Sequence, residues 1–260
     1  MASILKYVVS IVSSFVLFQC SGSYVQNSVN GNGPVIQYEV EYEEVGSFVF
    51  ERGWEVVLIP SSSNKVFIEA NENLIQDELV VSEKNGVLKI SAERNIRKAD
   101  KKRVEVYYTA TIEELKANSG ASVVSREMIE SKNININSSS GSRMDLQVIA
   151  DEVHANSSSG SVIELKLNSD ELTVNSSSGS SIRLIGESYS LKADASSGSA
   201  INGKEFKAKE AKLKSTSGSN ITLEVEEKAD ANASSGSSIN ILGEPKEVSK
   251  STSSGASVRS

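Results

Sequence analysis

The residues able to do chemistry in this 260-residue chain fall into columns once the chain is aligned on one repeated motif. Asp145, Glu164 and Arg183 follow one another at intervals of 19 residues, with Arg143 close by. If residues at that interval stack on neighbouring strands, the two carboxylates lie one rung apart, about 5 Å. Such a spacing suits a retaining glycosidase pair or a cation site. A solvated sheet face carries the same pattern, with Arg183 neutralising the stack. The face also lacks aromatic sugar platforms, which weighs against catalysis. A second column holds Asn137, Asn156, Asn175, Asp194, Lys214 and Asn232. Repeated amides could hydrogen-bond a repeating polymer such as a glycan, or form an outward ladder that stabilises the rungs. The single histidine, His154, has no Ser/Asp triad or metal cluster to complete it. There is no phosphate loop, EF-hand loop or Cys/His cluster, so no metal or cofactor is expected. A net charge of -7 lacks the basic footprint of a nucleic-acid partner.

The motif that aligns these columns is Ser-Ser-Gly-Ser followed by alternating apolar residues. Its glycines are Gly120, Gly141, Gly160, Gly179, Gly198, Gly218, Gly236 and Gly255, at intervals of 21, 19, 19, 19, 20, 18 and 19. A nearly constant period means stacked supersecondary units. Counting from each glycine, position +3 is Val123, Met144, Ile163, Ile182, Ile201, Ile221, Ile239 and Val258, and position +5 is mostly leucine, with Gly203 as an exception. Position −5 is apolar until Lys250, and the even positions are polar. Period-two patterning held across the glycine predicts strand segments facing one interior. The expected fold is all-β: a single-stranded parallel β-helix of roughly 19-residue coils, right-handed by the usual crossover rule. A β-sandwich is the alternative, but it does not require such registration. Parity also places the serines at −1 and +1 inward, with the glycines as structural turns at positive φ.

The N-terminus adds a processing segment. Residues 1–19 read as a signal peptide, with an apolar run from Tyr7 to Phe18 too short for a comfortable membrane span. Leu17-Phe18-Gln19-Cys20 resembles a bacterial lipobox, although Phe18 and Gln19 stand where small residues are usual. The reading favoured is lipidation at Cys20, the only cysteine; an ordinary signal peptide is the alternative. Residues 20–34 then form a Ser/Asn/Gly-rich tether. Residues 35–110 carry less regular strands expected as irregular β-helix coils, with a helical turn at Glu72 to Leu79 capped by Asn71 or Asn73. A hairpin signal follows at Asn85-Gly86, then an exposed charged loop from Arg94 to Arg103. Residues 111–260 are the regular coils, continuous with the preceding segment.

Three blocks, Glu51-Arg52-Gly53-Trp54-Glu55-Val56-Val57-Leu58, Val66 to Leu74 and Asn85 to Ile90, together with Leu115 to Val123 and the later Ser-Gly units, resemble the auto-transporter adhesin, head GIN domain family. The resemblance runs from about Val45 to Arg259. It implies a secreted or lipid-anchored β-helix with an adhesin-like role, and brings no catalytic residues. The combined expectation is a non-enzymatic protein on the outer membrane, periplasmic or surface-exposed, held by a lipid anchor. Its long surface would be presented to a glycan or an extracellular protein. A polysaccharide lyase or glycosidase on the same fold is the alternative, and a structural envelope protein without a ligand is the third.

Overall fold

The computed structural model describes residues 28–260. The expected signal peptide, Cys20 and the start of the tether lie outside the described residues. From Arg143 onward the chain forms long strands, Arg143–Ser157, Val162–Ser176, Ser181–Ala195, Ala200–Ser215 and Asn220–Ala233, each pairing in parallel with the next. The register is the sequence interval itself: Met144 pairs with Ile163, Ile163 with Ile182, Ile201 with Ile221 and Ile221 with Ile239. Every turn of the chain therefore lays like residues on like, and the molecule is a β-solenoid of coils near 19 residues.

The predicted inward columns form the core. Ile163, Leu165, Ile182, Leu184, Val174 and Ala193 are fully buried, and the same positions repeat up and down the stack. Burial of this kind contributes about 25 cal/mol for each Å² of apolar surface removed from water. Gly203, the one break in the +5 column, has a packing reason. A Cβ there would come within 2.5 Å of Leu223 Cδ1. This is the coil where the register shifts between Gly203 and Lys207, and Phe206, fully buried, refills the interior.

The first part of the chain departs from a simple run of irregular coils. Ser47–Phe50 and Glu55–Pro60 do continue the parallel ladder, pairing Phe48 with Leu115 and Val56 with Val123. Around them the pairing turns antiparallel: Val35–Glu41 with Lys65–Asn71, Lys65–Asn71 with Lys102–Tyr108, and Leu79–Lys84 with Val87–Ala92. A tight turn permits the reversal at Asn85-Gly86, where φ is 54° and 74°. Two-residue turns of that hand match the strand twist. An aromatic group formed by Tyr42, Phe48, Phe50 and Tyr108 fills this end, with centroid separations of 6.3–6.4 Å. The solenoid is thus closed at its N-terminal end.

Two local expectations change. The helical turn is present as a single wide turn, Leu74–Glu78, that buries Leu74, but Asn73 makes no capping hydrogen bond with its side chain. That side chain instead accepts from Asn32 N and donates to the Asn30 carbonyl. Residues 28–34, the described part of the expected tether, are tied to the body of the fold. Ser28–Val29 pairs in parallel with Asn95–Ile96, and Gly31 N donates to the Lys98 carbonyl at 2.6 Å. The charged stretch that supplies this strand is pinned by pairs to Glu78, Glu69, Glu55 and Glu105.

Candidate functional site

Each repeated corner is built from four residues, seen at Ser158-Ser159-Gly160-Ser161. Ser159 and Gly160 both have positive φ, 52° and 72°, and Ser161 N donates to the Ser158 carbonyl at 3.1 Å. These are the features of a type I′ turn. The same pair of positive φ values recurs at every Ser-Gly corner and at Arg52-Gly53, an earlier copy of the motif. The serine at −1 therefore points away from the core, which corrects the inward placement expected from parity. Strand alternation holds only while the backbone is extended; two left-handed residues carry the chain out of the pleat. The serine at +1 is inward as expected, and it meets the serine at −3. Ser161 Oγ, fully buried, donates to the Ser138 carbonyl one coil below at 2.7 Å and lies 2.8 Å from Ser157 Oγ. Ser142, Ser180, Ser199, Ser219 and Ser237 repeat that contact to the coil below. The glycines also link coils, as Gly160 N donates to the Ser178 carbonyl at 3.1 Å. A Cβ on Gly160 or Gly179 would meet nothing within 4 Å. These glycines serve the backbone conformation alone, not a close approach of walls.

The outward columns carry the candidate binding groups. Asn137, Asn156 and Asn175 stack in register as a half-buried amide ladder. Asn156 Nδ2 donates to Asn137 Oδ1 at 3.0 Å, and Asn175 Nδ2 to Asn156 Oδ1 at 2.8 Å. Asp194, Lys214 and Asn232 continue the column without further amide bonds among them. Beside it, at −2, run Ser139, Ser158, Ser177, Ser196 and Thr216, a hydroxyl column that sequence analysis passed over. Shallow grooves lie between the two columns, one lined by Asn137, Asn156, Ser139 and Ser158, another by Asn175, Asp194, Ser177 and Ser196. A primary amide offers two N–H donors and two lone pairs, and the ladder engages one of each on Asn156. The remaining donor and acceptor can meet a ligand.

The acidic column is less focused. Asp145 pairs in register with Glu164, and Glu164 with Arg183. Yet Arg183 turns to Glu205, at 2.5 Å, so it does not neutralise the two carboxylates. Among the described residues, no group of three or more His, Cys, Asp or Glu is placed to hold a metal. His154 contacts Glu152 at 2.7 Å. A further feature was missed in the sequence: Tyr189, 54% exposed, stands on the outer surface with Lys209 Nζ 5.5 Å from its ring centroid. Its signal was a large aromatic residue at an outward position.

The model of the family described as "Putative auto-transporter adhesin, head GIN domain" matches residues 42–166 and 150–245. No curated protein matches the sequence. Among solved structures, one described as a "putative lipid binding protein" from Parabacteroides distasonis superposes with a TM-score of 0.83 at 20% identity, covering 89% of this chain and 98% of its own. A "putative adhesin" from Parabacteroides merdae gives 0.82 at 17% identity, covering 90% and 98%. Another from Bacteroides fragilis gives 0.68 at 16%, covering 89% and 99%. At these identities the likeness establishes the solenoid fold. With the family model spanning most of the described coils, the chain belongs to the auto-transporter adhesin, head GIN domain family.

Proposed function

We propose that this protein is a non-enzymatic, adhesin-like binder of the cell envelope, held to the outer membrane by a lipid on Cys20, with the amide and hydroxyl furrow as its binding face. The observation that carries the reading is the register of that furrow. Asn137, Asn156 and Asn175, flanked by Ser139, Ser158 and Ser177, offer the same polar pair on each rung, about 4.8 Å apart. A repeating, hydroxyl-rich polymer such as a glycan, or an extended segment of an extracellular matrix protein, presents groups that such a row can satisfy in series. Multiple weak contacts along one axis would then add, as in any multivalent surface.

An array of glycans and matrix proteins tests the reading. Binding by the wild type that is lost in an Asn156→Ala, Asn175→Ala double variant is the expected result; undiminished binding would remove the furrow from the proposal. Cys20→Ser is expected to release the protein from the membrane fraction. The register of Asp145 with Glu164 supports a second reading, a glycosidase or polysaccharide lyase. Turnover of a polysaccharide that disappears in Glu164→Gln would replace the binding role with that one.

A further inference from the structure

We infer that a second, separate site lies around Tyr189, and that it takes a neutral pyranose sugar. Two adjacent outward columns meet there across three consecutive coils. One column runs Asn168, Glu187 and Lys207, paired in register. The neighbouring corner positions are Asp170, Tyr189 and Lys209, and the six residues line one shallow groove. Tyr189 is 54% exposed, the most exposed large apolar side chain among the described residues. Beneath the groove, Ser169 belongs to the buried inward column with Ala150 and Ser188, so the contacts offered to a ligand come from the outward side chains alone.

The ligand class follows from that chemistry. The groove is too open to enclose an apolar molecule, and its one aromatic ring is surrounded by groups of both signs. A pyranose has a C–H face that packs on a ring and a rim of hydroxyls that both donate and accept. Asp170 and Glu187 can accept from such hydroxyls, while Asn168 and Lys209 can donate. Lys209 also sits against the ring, 5.5 Å from its centroid, and steadies it. A phosphate-bearing ligand fits poorly. Lys207 is already engaged by Glu224 and Glu226, at 3.7 and 3.8 Å, and the carboxylates of the groove would repel the anion. Three rungs span about 10 Å, room for one or two sugar rings. The inference rests on the reading of the protein as a binder, though not on the asparagine furrow.

The test is an NMR titration of the full chain with three neutral disaccharides, lactose, cellobiose and N,N′-diacetylchitobiose. At least one is expected to shift the amides of Asp170, Tyr189 and Lys209. Tyr189→Ala should weaken that binding about tenfold or more, while Tyr189→Phe keeps it. The Asn156→Ala, Asn175→Ala variant should bind the disaccharide as the wild type does. Equal affinity in Tyr189→Ala, or no shift at these amides with any of the three sugars, overturns the inference. Polymer binding on the array together with that negative result would leave the furrow reading standing. A positive titration with a blank array would remove the furrow and keep this site.

Discussion

A serine at each corner carries two opposite duties, depending on which side of the glycine it stands. At +1 it is interior. Replacing Ser161 with alanine removes its bond to the Ser138 carbonyl and its contact with Ser157 Oγ. Ser158 N keeps a second acceptor, the Ser138 carbonyl, at 3.0 Å. The expected loss is therefore about 1–2 kcal/mol in a denaturant titration, not unfolding. Ala121 already occupies the equivalent position in an earlier coil. At −1 and at the glycine, side chains meet only solvent and the penalty is conformational. Gly179→Val should cost about 2 kcal/mol through its left-handed backbone, since the added Cβ itself meets nothing within 4 Å. Ser178→Asn, at φ 53°, should instead be neutral or raise the denaturation midpoint, because asparagine tolerates that conformation better. Equal destabilisation by both substitutions would contradict the turn geometry.

Among the elements, the N-terminal cap is distinct from the coils it closes, and its tyrosines give it a different pH response. Burial, aided by the charge of Glu127, pushes the Tyr108 phenol up to about 12. Burial likewise raises Tyr42, with Tyr108 and Glu83 adding to it, while its hydroxyl donates to the Tyr107 carbonyl at 2.8 Å. In the unfolded chain both phenols ionise near pH ~10. Their contribution is thus full below that pH and is lost as pH rises toward the folded values. Hydrogen exchange between about pH 10 and 12 should show the cap strands opening before the coils, and Tyr108→Phe should flatten that dependence. Exchange that rises uniformly through the coils would refute this order. Period two gave the coils, because extended strands keep a strict alternation and Ile163 and Ile182 can only stack one way. It misplaced Ser159, where two left-handed residues leave the pleat. It also gave no sign of strand direction: the Asn85-Gly86 turn marked the antiparallel pair Leu79–Lys84 with Val87–Ala92, but Val35–Glu41 alternates in sequence like any coil strand and yet pairs antiparallel with Lys65–Asn71.

At the scale of the whole molecule, stability is a sum over neighbouring coils, and the two ends are not alike. The cap covers the N-terminal end with antiparallel strands and aromatic rings. At the other end, Glu247–Thr252 and Ser257–Arg259 pair only with the coil before them, leaving one edge of each without a described partner. Such an edge invites pairing with another chain. The same column that carries Leu213 and Ala231 in earlier coils carries Lys250 here, and its Nζ donates to Ser260 Oγ at 2.5 Å across the end. An ammonium in an inward column would be desolvated by any strand stacked upon it, which costs several kcal/mol when no counter-charge is supplied. Val248, 37% exposed in the same coil, shows the apolar surface such stacking would cover. Lys250→Val should therefore convert a guarded end into a continuous one. Sedimentation velocity is expected to show self-association that grows with concentration for the variant and not for the wild type. Lys250→Glu, which keeps a charge in the column, should behave as the wild type does. Association by both variants alike would mean that the coil's guard is something other than the inward charge.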